Sequence, residues 1–303
     1  MTAHDMNEPR LRHVQCLDAK GLHRMAYWEW GDPANEHVVV CAHGLSRQGR
    51  DFDLVARALV PRVRVVSVDV VGRGMSDWLV DPMGYVIPTY VADMVTLLAR
   101  LDAKTVDWVG TSMGGLIGIG VAALKARGEP NAADVGSLLR RLVLNDVGPT
   151  IDPAGLARIG AYVGRVQDFA SLDEATVYLK SISETFGPHT PAQWRELTRH
   201  QFKQNERGRF VPRGDAAIAA PFKAFTPELA KMSEALTWAA YDSIAIPTLL
   251  VRGAESDLLS KATARAMTQR GPHARLVELP GVGHAATLIH DDQVAIVREF
   301  LSP

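Results

Sequence analysis

Six apolar, mostly β-branched runs recur along the chain: HVVVCAHG (37–44), RVRVVSVDVVGRG (62–74), TVDWVGTS (105–112), LRRLVLNDVG (139–148), IPTLLVRG (246–253) and ARLVELPGVG (274–283). Their hydrophobicity is continuous rather than alternating, as a parallel sheet covered on both faces requires. Upstream, residues 12–30 hold two extended segments around Ala19-Lys20-Gly21. The second alternates through Ala26, Trp28 and Trp30, the period-two pattern of an antiparallel hairpin. Between the runs lie helical patterns at 51–59, 90–101, 113–126, 260–270 and 291–301. Strands alternating with helices predict an α/β fold with a mostly parallel sheet flanked by helices.

One segment breaks the alternation. From 149 to 240 the sequence predicts helices and no convincing strand. It carries six of the eight phenylalanines, Phe169, Phe186, Phe202, Phe210, Phe222 and Phe225. This predicts two units: a core of residues 1–148 and 241–303, and a helical cap, or lid, of residues 149–240.

Composition narrows the function. The 303 residues are 47% hydrophobic and 22% charged, an ordinary globular balance, and the net charge of -1 leaves no basic footprint for nucleic acid or an anionic membrane. The polar start MTAHDMNEPRLRH lacks the apolar stretch of a secretory signal, and no apolar run reaches the ~18 residues that span a bilayer. Cys16 and Cys41 lack metal-ligand spacing. The expectation is a cytoplasmic protein, monomer or homodimer, with no metal and no cofactor.

The chemistry begins at GTSMG (110–114). A strand ends, the chain turns on glycine, and a glycine-rich helix opens, a setting that lifts the Ser112 hydroxyl above a sheet edge. A serine needs a base in hydrogen-bond reach. His284, in a loop softened by Gly281 and Gly283, is the first candidate, with His43 and His290 as rivals. The imidazole needs a carboxylate. Asp257 in VRGAESDLLS is preferred because it lies well into the loop after a strand and just ahead of a helix. Glu255 and Asp146 are the alternatives. Two oxyanion donors are expected from the backbone N–H groups of Leu45, after His43-Gly44, and of Met113, after the serine. Candidate substrate contacts are His43, Gly44, Arg47, Arg50, Phe222 and Trp238. Arg47 and Arg50 could equally pair with Asp51 or Asp53. Arg195, Arg199, Lys203 and Arg207 fall at steps of four and would form a basic stripe on one helix, either an acidic-substrate attractor or a solvated face.

Strand-HG at 43–44, D-x-x-G-R-G-x-S-D at 69–77, GTSMGG at 110–115, Asp257 in RGAESD and G-x-G-H ending at His284 together resemble the α/β-hydrolase family, over residues 37–302 apart from the cap. The resemblance implies an eight-stranded sheet with a helical cap inserted after the sixth strand, and Ser112, Asp257 and His284 as triad. The segments HGLSRQGRDF and NDVGP resemble bacterial esterase-like members, some of which act on hydroxyalkanoate oligomers. Serine where the dehalogenase and epoxide hydrolase branches carry aspartate argues against both. The leading expectation is a serine hydrolase of a small-molecule carboxylic ester. A C–C hydrolase of a vinylogous diketone and an acyltransferase remain alternatives on the same triad. A non-catalytic binding scaffold would have less need of the full set.

Overall fold

The computed structural model describes residues 6–60, 62–124, 135–224 and 226–302. Residues 125–126 of the expected 113–126 helix, and Phe225, lie outside the described residues. A hairpin of β1 (Arg10–Asp18) and β2 (Gly21–Trp30) opens the sheet, followed by β3 (His37–Ala42), β4 (Arg64–Asp69), β5 (Thr105–Thr111) and β6 (Leu139–Asn145). After a long insertion come β9 (Thr248–Gly253) and β10 (Arg275–Leu279). The eight strands lie in the order β1-β2-β4-β3-β5-β6-β9-β10. Within this sheet only the β1–β2 and β2–β4 pairings are antiparallel. Because β2 lies inside the sheet, its Tyr27 and Glu29 are buried along with Ala26 and Trp30, while Trp28 of the expected alternating face is only half-buried.

Helices cover both faces, which is why the central strands are apolar on both. One face packs Met94, Leu97 and Leu98 of α2 (Ile87–Leu101) with Ile117 and Val121 of α3 (Met113–Ala122). The other packs Val55 and Leu59 of α1 (Asp53–Leu59) with Val294 and Val297 of α10 (Asp291–Leu301). Parallel strands all point their carboxyl ends to one rim, so every loop that follows one can contribute to a single site there.

The insertion between β6 and β9 holds α4 (Pro153–Gly160), α5 (Leu172–Ile182), α6 (Pro191–Arg199), a short α7 (Ala220–Lys223) and α8 (Pro227–Asp242). It also holds a two-stranded antiparallel pair, β7 (Phe202–Gln204) and β8 (Phe210–Pro212), where the sequence suggested no strand. At three residues each, these strands are too short for periodicity to register. Ala175, Leu179, Trp194, Leu197 and Phe202 build a small core separate from the two flanking the sheet. Tyr241, at the end of α8, belongs to the core under the sheet, joined by Trp238, and Ile159, Val163, Ile218 and Ala219 of the insertion reach the same core. Helical periodicity reveals a buried stripe but not which layer buries it.

The basic stripe also dissolves. The α6 helix ends at Arg199, Lys203 lies on β7, and Arg207 falls in the turn beyond it. Arg195 pairs with Asp173 and Arg199 with Glu196, each on an exposed surface.

Candidate active site

Ser112 sits between β5 and α3 at φ 51°, ψ −118°, a strained conformation for a residue with a Cβ. The surrounding glycines are required by contact. A Cβ on Gly114 would lie 1.9 Å from the Ala42 carbonyl oxygen, and one on Gly110 would lie 2.3 Å from the Gly114 carbonyl oxygen. Both obstacles are backbone and cannot rotate away. Gly114→Ala is therefore expected to destabilise the protein by about 3 kcal/mol or more. Thermal melting checks this; an unchanged Tm would contradict the packing of α3 against β3.

The Ser112 Oγ–H donates to Nε2 of His284 at 2.9 Å, and His284 Nδ1–H donates to Oδ2 of Asp146 at 2.8 Å. His284 is 6% exposed and Asp146 fully buried. Asp146 directly follows β6 at φ 56°, a left-handed turn that swings its carboxylate across the rim. Its Oδ1 accepts from the Gly253 N–H at 2.9 Å, and its Oδ2 also accepts from the Ser256 hydroxyl at 2.6 Å. The carboxylate is thus fixed by three donors, one of them the imidazole. Asn145 beside it donates from Nδ2 to Thr111 Oγ1 at 3.0 Å and to the Ala286 carbonyl at 2.8 Å, tying the serine strand to the histidine loop.

Asp257 is elsewhere. Arg158 of α4 clamps it with two hydrogen bonds of 2.6 and 2.9 Å. That guanidinium holds the Asp257 carboxyl below the ordinary carboxylate range, against the opposing pull of partial burial. The expectation that Asp257 supports the histidine is therefore corrected to Asp146. Both acids follow strands that end on the same rim, and only the three-dimensional path decides which reaches Nδ1. Glu255 contributes its backbone N–H to the Val282 carbonyl at 2.9 Å. His290 occupies the N-cap position of α10.

The expected oxyanion donors, the N–H groups of Leu45 and Met113, lie at the HG turn and at the start of α3. His43 is fully buried, and desolvation pushes its pKa down to about 3, so it is neutral at working pH. Its Nε2 accepts from the Val70 N–H at 3.0 Å, which leaves Nδ1–H to donate to the Gly44 carbonyl at 2.7 Å. The Arg47 N–H reaches the same carbonyl at 3.0 Å. In a trans peptide the N–H points opposite the C=O, so fixing the Gly44 carbonyl aims the Leu45 N–H the other way. The Leu45 carbonyl is in turn held by Nε of the buried Arg73 at 2.9 Å, which explains the arginine in D-x-x-G-R-G. Met113 opens α3, where first-turn N–H groups lack intrahelical acceptors.

A cavity of about 390 Å³ opens at Ser112 and His284. His43, Gly44, Leu45 and Arg47 line it, with Ile159, Tyr162, Phe186 and Leu197 from the insertion. Three expected substrate contacts do not line it. Arg50 pairs with Asp53 at 2.6 Å and stacks over Trp28, Trp238 meets Tyr241 edge to face beneath Arg270, and Phe222 packs on the sheet-side core. Residues that the sequence reading missed include Trp78, Tyr178 and Gln201; nothing in their spacing signals a cavity wall. Among the described residues, two trios lie close enough to hold a metal ion, Cys16/His23/Asp93 and Asp53/Glu196/His200. Their acids are already engaged, Asp93 by His23, Asp53 by Arg50 and Glu196 by Arg199, and none of the six residues lines the cavity at Ser112.

The chain is 50% identical over 297 residues to the 3-hydroxybutyrate-oligomer hydrolase of Cupriavidus necator, covering 97% of this chain and 98% of that one. It is 26% identical over 264 residues to the pimeloyl-[acyl-carrier protein] methyl ester esterase of Xanthomonas campestris pv. campestris, covering 85% and 92%. A crystal structure of an alpha/beta hydrolase from Novosphingobium aromaticivorans superposes with a TM-score of 0.81 at 32% identity, over 97% and 98% of the two chains. The model of the alpha/beta hydrolase family matches residues 39–299. With the sheet order, the elbow at Ser112 and these matches in agreement, the chain belongs to the alpha/beta hydrolase family.

Proposed function

We propose that the protein hydrolyses esters of short hydroxyalkanoate oligomers through an acyl-enzyme on Ser112. It is a carboxylic-ester hydrolase with Ser112 as nucleophile, His284 as general base and acid, and Asp146 as the carboxylate that holds the imidazole. The observation that carries this reading is the unbroken hydrogen-bond relay from Ser112 Oγ through His284 to Asp146. The C. necator relative supplies the substrate class.

Ser112 Oγ attacks the ester carbonyl while His284 Nε2 takes its proton. Asp146 stabilises the imidazolium and keeps Nδ1 protonated. The N–H groups of Leu45 and Met113 receive the developing oxyanion, each worth about 3 kcal/mol in the transition state. Collapse expels the alkoxide of the next hydroxy-acid unit, which takes the proton from His284. Water, activated by the same histidine, then returns Ser112 and releases the acid. In this reading the insertion over the rim acts as a cap that walls the acyl pocket with Phe186, Leu197 and Ile159. Among the described residues no helix is long and apolar enough to cross a membrane.

The test is a panel of p-nitrophenyl butyrate, 3-hydroxybutyrate dimer and trimer, and a ring-fission dienone. Turnover of the first three is expected, with burst release of p-nitrophenol from p-nitrophenyl butyrate. Preference for the dienone by orders of magnitude would instead assign C–C hydrolysis to the same relay, and acylated product on adding an alcohol or thiol acceptor would assign acyl transfer.

A further inference from the structure

The charges around the cavity do not balance. Four cationic side chains line it, Arg47, Arg73, Arg165 and Lys203, against two carboxylates, Asp51 and Asp215. Each carboxylate is already used. Asp51 is clamped by Nε and Nη2 of Arg47 at 2.7 Å each, and Asp215 accepts from the Tyr85 hydroxyl at 2.6 Å while capping the next turn through the Ala217 N–H. Arg73 spends its donors on the Leu45 and Val71 carbonyls and the Tyr90 hydroxyl. Among the described residues, neither Arg165, in the loop after α4, nor Lys203, on β7, has an ion-pair partner; both stand exposed at the cavity's edge.

Arg47 is fixed in place between the HG turn and α6, since Asp51 neutralises it and its Nη2 also holds the Leu197 carbonyl at 3.0 Å. The cavity is therefore left with two unpaired cations, both at its edge.

Resting on the proposed ester hydrolysis, we infer that Arg165 and Lys203 form a subsite for the free carboxylate of the oligomer. The chemistry of a hydroxy-acid oligomer fixes where that charge must be. At any scissile ester the acyl side ends in a hydroxyl, and the alcohol side ends in the carboxylate. The cations thus hold the leaving portion, and Ser112 becomes acylated by the hydroxyl-terminal portion. The enzyme reads its substrate from the acid end and favours chains short enough for the carboxylate to reach these cations.

The experiment compares 3-hydroxybutyrate trimer as the free acid with its neutral methyl ester, using p-nitrophenyl butyrate to register the esterase. In the wild type, kcat/KM for the acid is expected to exceed that for the methyl ester about tenfold, the scale of one or two partly solvated charge contacts. The difference should reside mainly in KM and shrink as salt is raised. Arg165→Glu/Lys203→Glu should drive the ratio to one or below. A wild-type ratio near one, or a ratio unmoved by charge reversal, overturns the subsite. Cleavage of p-nitrophenyl butyrate with neither trimer touched overturns it too while leaving the esterase standing. Failure on p-nitrophenyl butyrate as well would remove the hydrolase reading itself.

Discussion

Ser112→Ala is expected to lower kcat on p-nitrophenyl butyrate by about 10⁵- to 10⁶-fold, with KM and melting temperature little changed. The hydroxyl is the only atom lost, and the histidine–aspartate pair remains buried behind it. Where a nucleophile acts as one unit with its base, removing it costs about as much as removing the whole set, and the residual rate belongs to the oxyanion donors and binding. The φ of 51° at position 112 strains any residue with a Cβ, so alanine inherits the elbow without relieving it. A fluorophosphonate probe should label the wild type at Ser112 and leave the alanine variant unlabelled. Turnover in that variant within tenfold of wild type would end the serine mechanism.

The second large effect separates two aspartates. Asp146→Asn is expected to reduce kcat by about 10⁴-fold, the scale seen when the carboxylate behind a catalytic histidine becomes an amide. The physical reason is the tautomer. An asparagine can still accept from the Gly253 N–H, but its amide would then face His284 Nδ1 as a donor. The ring would respond by protonating Nε2, the nitrogen that must accept from Ser112. Asp257→Asn should cost less than about fivefold. It breaks only the pair with Arg158, whose members are each about one-third exposed, and pairs of that kind contribute about 1 kcal/mol or less. Steady-state kinetics on both variants decides the matter. A larger loss at 257 than at 146 would restore the assignment made from sequence.

The reason that assignment missed lies in what a linear pattern can hold. Asp146 and Asp257 each follow an apolar run and each stands before a turn, so both satisfy the same rule of position. What separates them is a backbone turn at φ 56° in one case, and in the other an arginine 99 residues away that captures the carboxylate. Arg158 approaches because α4 packs directly on the loop; a Cβ on Gly155 would meet the Asp257 carbonyl oxygen at 2.6 Å. No spacing in the chain announces that contact. The same limit explains Arg50, Phe222 and Trp238. Each was a reasonable wall for a pocket, and each proved to be packing material elsewhere.

The strands, by contrast, were legible. A strand buried on both faces must be apolar at every position, and that constraint is local, so β3, β4, β5, β6 and β9 stand out as unbroken runs. Ser112 and His284 were legible for a related reason. The sharp turns that raise them need glycine at fixed offsets, and glycine is a visible mark. The insertion between β6 and β9 was legible only as an interruption. Its β7–β8 pair is too short to carry a period.

By itself, then, the sequence determined the alternation of layers, the rim where strands end, and the serine and histidine that rise from it, because each follows from short-range rules of burial and turn geometry. Tertiary structure alone decided which acid meets the imidazole, which arginines face the cavity, and which cations go unpaired. Those outcomes depend on side chains from distant segments competing for the same partner, and that competition is settled only when the chain is folded.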